Sequence, residues 1–133
     1  MVRKAADRRK ARQLADQQGR TAEFVALAYL ILTCHRILAH RWRGSVGEID
    51  LIARHGRRII FIEVKFRQGS GPGAVPAATQ RRRIERAARQ FCQQRRISPE
   101  FETRFDLIQI SPLFGGILYT IRHIRDAWWA AAD

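Results

Sequence analysis

Gly47-Glu48-Ile49-Asp50-Leu51-Ile52-Ala53-Arg54-His55-Gly56-Arg57-Arg58-Ile59-Ile60-Phe61-Ile62-Glu63-Val64-Lys65 is the stretch that decides the fold of this chain. Two runs rich in β-branched and apolar residues flank a His-Gly turn, which predicts an antiparallel hairpin. A short loop centred on His55 or Gly56 sets residues 61–63 opposite Asp50. Glu63 and Lys65, two positions apart on one strand, point to the same face. Two carboxylates and one amine thus meet on a sheet that is otherwise apolar, where an uncompensated polar group is costly.

Upstream of the hairpin, residues 44–47 read as a loop and residues 36–42 as a short strand. Residues 20–35 form a helix that is apolar on nearly every face and is therefore expected to be buried. Residues 1–18, rich in Arg and Lys with Asp7 and Asp16, make a basic N-terminal extension, either helical or a free arm. Downstream, three glycines and a proline within residues 68–73 mark a loop beside the proposed site. Pro76 and Thr79 open a helix running to about residue 96. Its apolar stripe is Ile84, Ala87, Ala88, Phe91 and Cys92, while its other faces carry a run of arginines against Glu85 alone. Strands over residues 105–110 and 117–122 enclose a turn, and residues 126–130 read as a short helix that packs its tryptophans on the domain. With no repeat and no linker, this order predicts a single α/β (α+β) domain over residues 19–133.

The 133 residues hold 25 Lys and Arg against 12 Asp and Glu, a net charge of +13, and 22 of the 25 are arginine. Arginine matches phosphate oxygens with a planar bidentate fork, so the excess favours nucleic acid as a partner. Cys34 and Cys92 sit in apolar runs without metal-ligand spacing and are expected to be small core residues rather than zinc ligands or a disulfide. The longest apolar run, residues 24–34, is too short to span a bilayer, and the start of the chain lacks the apolar segment of a secretory signal. A soluble, cytoplasmic protein with no membrane association is expected.

Two neighbouring carboxylates repel unless a cation or a proton lies between them. Oxygen ligands on a strand pair suit Mg²⁺ or Mn²⁺, which take carboxylates together with water and substrate phosphate. Asp50 and Glu63 are the candidate ligands, and the Val64 carbonyl is within reach if the strand bulges. Lys65 would orient a water or stabilise charge forming on phosphorus. The competing reading is an inward ion pair of Lys65 with one acid and no catalysis. Glu48 shares strand parity with Asp50 and belongs at the mouth. Glu23, on the apolar helix, is a third candidate ligand, with stabilisation of the helix N-terminus as its alternative. Gln80 could hold a water or a phosphate oxygen; together with Arg43, Arg67, Arg82 and Arg86 it is a candidate contact to nucleic acid. No role falls to His35, His40, His55 or His123.

Taken together, Gly19-Arg20-Thr21-Ala22-Glu23, Arg41-Trp42-Arg43, Gly47 to Ala53, Phe61 to Arg67, Gln80 to Ile84 and Arg104-Phe105-Asp106 resemble the YraN-like family of small bacterial proteins, which is placed among the PD-(D/E)XK nucleases. The resemblance covers about residues 19–128. It implies a restriction-endonuclease-like central mixed β-sheet flanked by helices, similar to archaeal Holliday-junction resolvases. It also implies catalytic positions at Glu23, Asp50, Glu63 and Lys65. Many members carry a lysine where Gln80 stands. The expected activity is Mg²⁺- or Mn²⁺-dependent hydrolysis of DNA, branched or damaged structures included. The alternatives are a non-catalytic nucleic-acid-binding protein that keeps the fold and, behind it, an adaptor for an acidic protein; a homodimer is left open. If several phosphates are contacted, DNA affinity is expected to fall at least tenfold between roughly 50 and 200 mM salt in a fluorescence-anisotropy titration. A salt-insensitive interaction would favour the adaptor.

Overall fold

The computed structural model describes residues 2–69 and 75–130. The elements are α1 (Val2–Leu32), β1 (Arg36–Arg43), β2 (Glu48–His55), β3 (Arg58–Phe66), α2 (Ala78–Gln94), β4 (Glu102–Leu113) and β5 (Leu118–Trp128). The five strands form one sheet in the order β1-β2-β3-β4-β5. β1, β2 and β3 are an antiparallel meander. The α2 crossover returns the chain so that β4 lies parallel to β3, and β5 closes the far edge antiparallel to β4. This is the mixed sheet flanked by helices that the resemblance implies.

The hairpin forms as expected. His55 faces Arg58 across a two-residue turn, and Gly56 sits there at φ +62°, a conformation that suits glycine. β3 is the central strand and is sandwiched on both faces. Its even residues Ile60, Ile62 and Val64 pack with Ala22, Ala26 and Leu30 of α1. Its odd residues Ile59 and Phe61 pack with Ile84, Ala87, Ala88 and Phe91 of α2. On the α2 face the aromatic rings form a chain: Trp42 meets Phe91 edge-on, Phe91 meets Phe61, Phe61 stacks on Phe105, and Phe105 stacks on Trp128. That chain ties α2 to four of the five strands.

Several expectations need correction. α1 begins at Val2 rather than near residue 20, so of the two readings of the basic extension the helical one holds. Nor is α1 buried all round: Phe24 is 71% exposed and Leu32 83% exposed, because only one side of the helix meets the sheet. The expected C-terminal helix is absent among the described residues. β5 instead extends through Trp128, whose ring is buried against Phe105, and Trp129 is exposed. β4 and β5 are longer than their apolar cores suggested. Cys34 is exposed in the turn after α1 rather than in the core. Most of the glycine-rich loop, residues 70–73, lies outside the described residues.

Removing the central ring of the α2 face should be costly. Phe91→Ala is expected to lower unfolding free energy by about 3–5 kcal/mol in urea denaturation. A loss under about 1 kcal/mol would show that α2 does not rest on the aromatic chain.

Candidate active site

The site lies where β2 and β3 part. Their ladder runs from His55↔Arg58 to Leu51↔Ile62 and stops there, although β2 stays paired with β1 as far as Glu48. Side-chain alternation slips at the same place: Ile49 and Ile52 both belong to the α2 face, while Leu51 belongs to the α1 face. The parting leaves the Val64 N–H without its ladder partner, and the Asp50 side chain takes that place, Oδ2 accepting from Val64 N at 2.8 Å. β3 itself continues in register with β4 through Phe66. Asp50 is therefore fixed by backbone, in the gap between two strands.

Glu63 follows Phe61 on the α2 face of β3 and is buried. Its Oε1 accepts from Gln80 Nε2 at 2.9 Å and lies 3.2 Å from Lys65 Nζ. That ion pair is also what the purely structural reading expects. Glu63 acts on Asp50 through its charge. Burial first, then the charge of Glu63, push the Asp50 carboxyl up to about 8, against the lowering effect of the Val64 N–H, and the charge of Glu23 adds to the rise. A proton held on one of two acids is the state that opposing carboxylates adopt when no cation separates them.

Around this pair is an open cleft of about 360 Å³ lined by Val46, Gly47, Glu48, Asp50, Glu63, Gln80, Arg83 and Ile84. The β1–β2 loop forms one wall and is stapled to α2, since Ser45 N donates to Gln90 Oε1 at 2.8 Å. Gly47 allows the close approach. A Cβ there would sit 2.9 Å from the Arg83 carbonyl oxygen, so any larger residue would push the loop off α2.

The structure does not bring every predicted residue into the cleft. Glu23 acts on Asp50 through its charge, but its Oε2 is already engaged by Arg41 Nε at 2.6 Å and His40 Nε2 at 3.1 Å. Among the described residues no three His, Cys, Asp or Glu side chains are gathered as a metal-holding group; what converges is the Asp50–Glu63 pair. Arg43 is exposed and lies 3.5 Å from Glu48 at the mouth. Arg67 is exposed at the end of β3, and Arg82 and Arg86 are exposed on α2. Arg83, not singled out by the sequence, lines the cleft.

Sequence reasoning also missed the partners of Glu23. Arg41 lies on β1 between positions paired with Leu51 and Ile49, and its φ of +51° is unusual within a strand. A second polar group was missed on the opposite face of the sheet. Asp106 is fully buried and accepts from Arg104 and His123, and His123 Nδ1 lies 2.8 Å from Tyr29 Oη. Burial would raise the Asp106 carboxyl, but the hydrogen bonds from His123, Arg104 and the Asp126 N–H hold it below its ordinary value.

As a donor set, two carboxylates, with a neutral amide and an amine beside them, fit a small divalent cation completed by water and phosphate. The uncharacterised protein family UPF0102 matches residues 22–110. A UPF0102 protein of Agrobacterium fabrum is 44% identical over 103 residues, covering 76% of this chain and 84% of the relative. One from Maricaulis maris is 39% identical over 104 residues, covering 77% and 82%. One from Paramagnetospirillum magneticum is 39% identical over 125 residues, covering 90% and 92%.

Because Asp50 keeps its proton to about pH 8 when folded and only to about pH 4 when unfolded, the folded chain binds more protons between those values. Its stability therefore falls as pH rises through that window. Asp50→Asn keeps a neutral hydrogen-bonding group and removes the cost. The melting temperature of the metal-free variant is expected to exceed the parent's by a margin that grows from about pH 5 to 8 and then levels off. A variant less stable than the parent at all pH values would contradict this.

Proposed function

The chain belongs to the uncharacterised protein family UPF0102, and we propose that it is a Mg²⁺- or Mn²⁺-dependent nuclease that hydrolyses DNA phosphodiester bonds, branched or damaged structures included. The observation that carries this reading is the Asp50–Glu63 acid pair, with Lys65 beside it, in an open cleft of a protein with net charge +13. A protein that only bound phosphates would gain nothing from two acids at the contact point, since each repels the ligand.

When bound, a divalent cation would draw negative charge from the phosphoryl oxygens and lower the pKa of a water. Asp50 and Glu63 would hold it, and Asp50 would give up its proton to do so. Val64 N–H fixes the Asp50 carboxylate, so little reorganisation is needed. Lys65, at the open side of Glu63, offers an ammonium to the negative charge that grows on phosphorus. Gln80 holds the Glu63 carboxylate in its rotamer from α2. Arg83 on the cleft wall and Arg43 at the mouth present guanidinium groups to the flanking phosphates. No helix of the described residues is long and apolar enough to cross a membrane.

Labelled duplex, single-stranded and four-way DNA incubated with and without Mn²⁺ tests the reading. Cleavage of at least one substrate, dependent on the metal, is expected. Asp50→Ala and Glu63→Ala should each reduce it at least about hundredfold while DNA affinity is kept or rises, and Lys65→Ala should stop cleavage as well. Parent protein that binds DNA and never cuts it would favour the non-catalytic alternative. Variants that cut as fast as the parent would place the activity elsewhere.

A further inference from the structure

α1 is 31 residues long, yet its buried residues, Ala22, Ala26 and Leu30, all lie in its C-terminal third. Every residue from 2 to 17 is exposed. Leu14 and Gln17 share a cleft with Phe66 of the domain, so at about 1.5 Å per residue the stretch from residue 2 to 13 leaves roughly 18 Å of helix standing clear. Lys4, Arg8, Arg9 and Arg12 line one shallow groove along it. Arg3 and Lys10 add further charge, against only Asp7 and Asp16. Lys4, Arg8 and Arg12 repeat at i,i+4, a like-charge spacing that weakens a helix, and a helix of this length without packing is marginal in water. The stripe thus serves nothing inside the protein. It precedes residues 22–110, the part that matches the family.

The helix leaves the domain at the end where the cleft lies. Its C-terminal end turns into β1 beside the β2–β3 turn, where the His35 and His55 rings stack at 4.4 Å. Glu23, close to its exit, bonds Arg41 and His40 of β1 and acts on Asp50. Leu14, Gln17 and Thr21 then face Phe66 at the end of β3 across a further cleft. The stripe therefore projects from the end of the sheet at which β2 begins and β3 finishes.

The geometry points to the projecting part of α1 as a holder of double-stranded nucleic acid, gripping the phosphate backbone over about five base pairs beside the cleft. This rests on the nuclease reading and adds a substrate requirement: a duplex flank beside the cut. A straight helix with point charges along one side suits a stiff duplex. A flexible single strand is typically held through aromatic platforms, and residues 2–18 contain no aromatic residue.

The test uses the full chain with Lys4, Arg8, Arg9 and Arg12 all changed to Gln, its helix content checked by circular dichroism. Anisotropy titrations without metal compare a duplex of about 30 base pairs with a single strand of about 30 nucleotides. On the duplex, the log–log salt slope is expected to drop by about three to four units, close to one for each phosphate no longer neutralised. Affinity for the single strand should stay within about twofold. Equal slopes for parent and variant on the duplex, or an equal loss on both ligands, would overturn the duplex holder while leaving the cleft chemistry untouched. A parent that neither binds nor cuts DNA would instead remove the nuclease reading, and this proposal with it.

Discussion

The parting of β2 from β3 at Asp50 is the constraint on which the site depends. A central strand has to pair its backbone, and an orphaned N–H there is costly. The Val64 N–H is satisfied by a side chain rather than by the neighbouring strand, and this draws a carboxylate into the sheet. Once there it is buried beside Glu63, and burial and repulsion together account for its raised pKa. The fold thus holds an acid pair at the cost of some stability, a pattern typical of functional sites. The same parting opens the cleft, because the β1–β2 loop can swing onto α2 only if β2 leaves β3.

The two helices have separate tasks. α2 carries Gln80 and Arg83 to the α2 face, and the aromatic chain from Trp42 to Trp128 fixes its position. α1 covers the other face, and its carboxylate at Glu23 is held by Arg41 and His40 rather than turned freely toward Asp50. Glu23 therefore acts on the pair through its charge, and the pair is formed by two strands and adjusted by both helices.

The hairpin, the same-face placement of Glu63 and Lys65, and the amphipathic α2 were legible in the sequence because each follows from a local period of two or 3.6 residues. The resemblance to a known family supplied the mixed sheet. What stayed hidden depends on contacts far apart in the chain or on unusual backbone. The Tyr29–His123 bond joins residues 94 positions apart, and nothing near His123 announces it. The bond from Arg41 to Glu23 goes with a positive φ in a strand. α1 was read as buried because apolar residues surround it, but a helix on the outside of a single sheet has only one face to bury, and composition cannot say which residues lie outside. Trp128 continues β5 because stacking on Phe105 outweighs the helical leaning of the alanines around it.

The central claim is that Asp50, beside Glu63, holds a proton that a divalent cation replaces. Calorimetric titration of the metal-free protein with Mn²⁺, in buffers of differing ionisation enthalpy, measures it directly. At about pH 6.5, well below the value near 8 for Asp50, binding is predicted to release close to one proton per ion. The release should vanish at about pH 9.5 and in Asp50→Asn, where affinity should also fall. Mn²⁺ binding with no proton release at the lower pH, or undiminished binding by Asp50→Asn, would contradict the account.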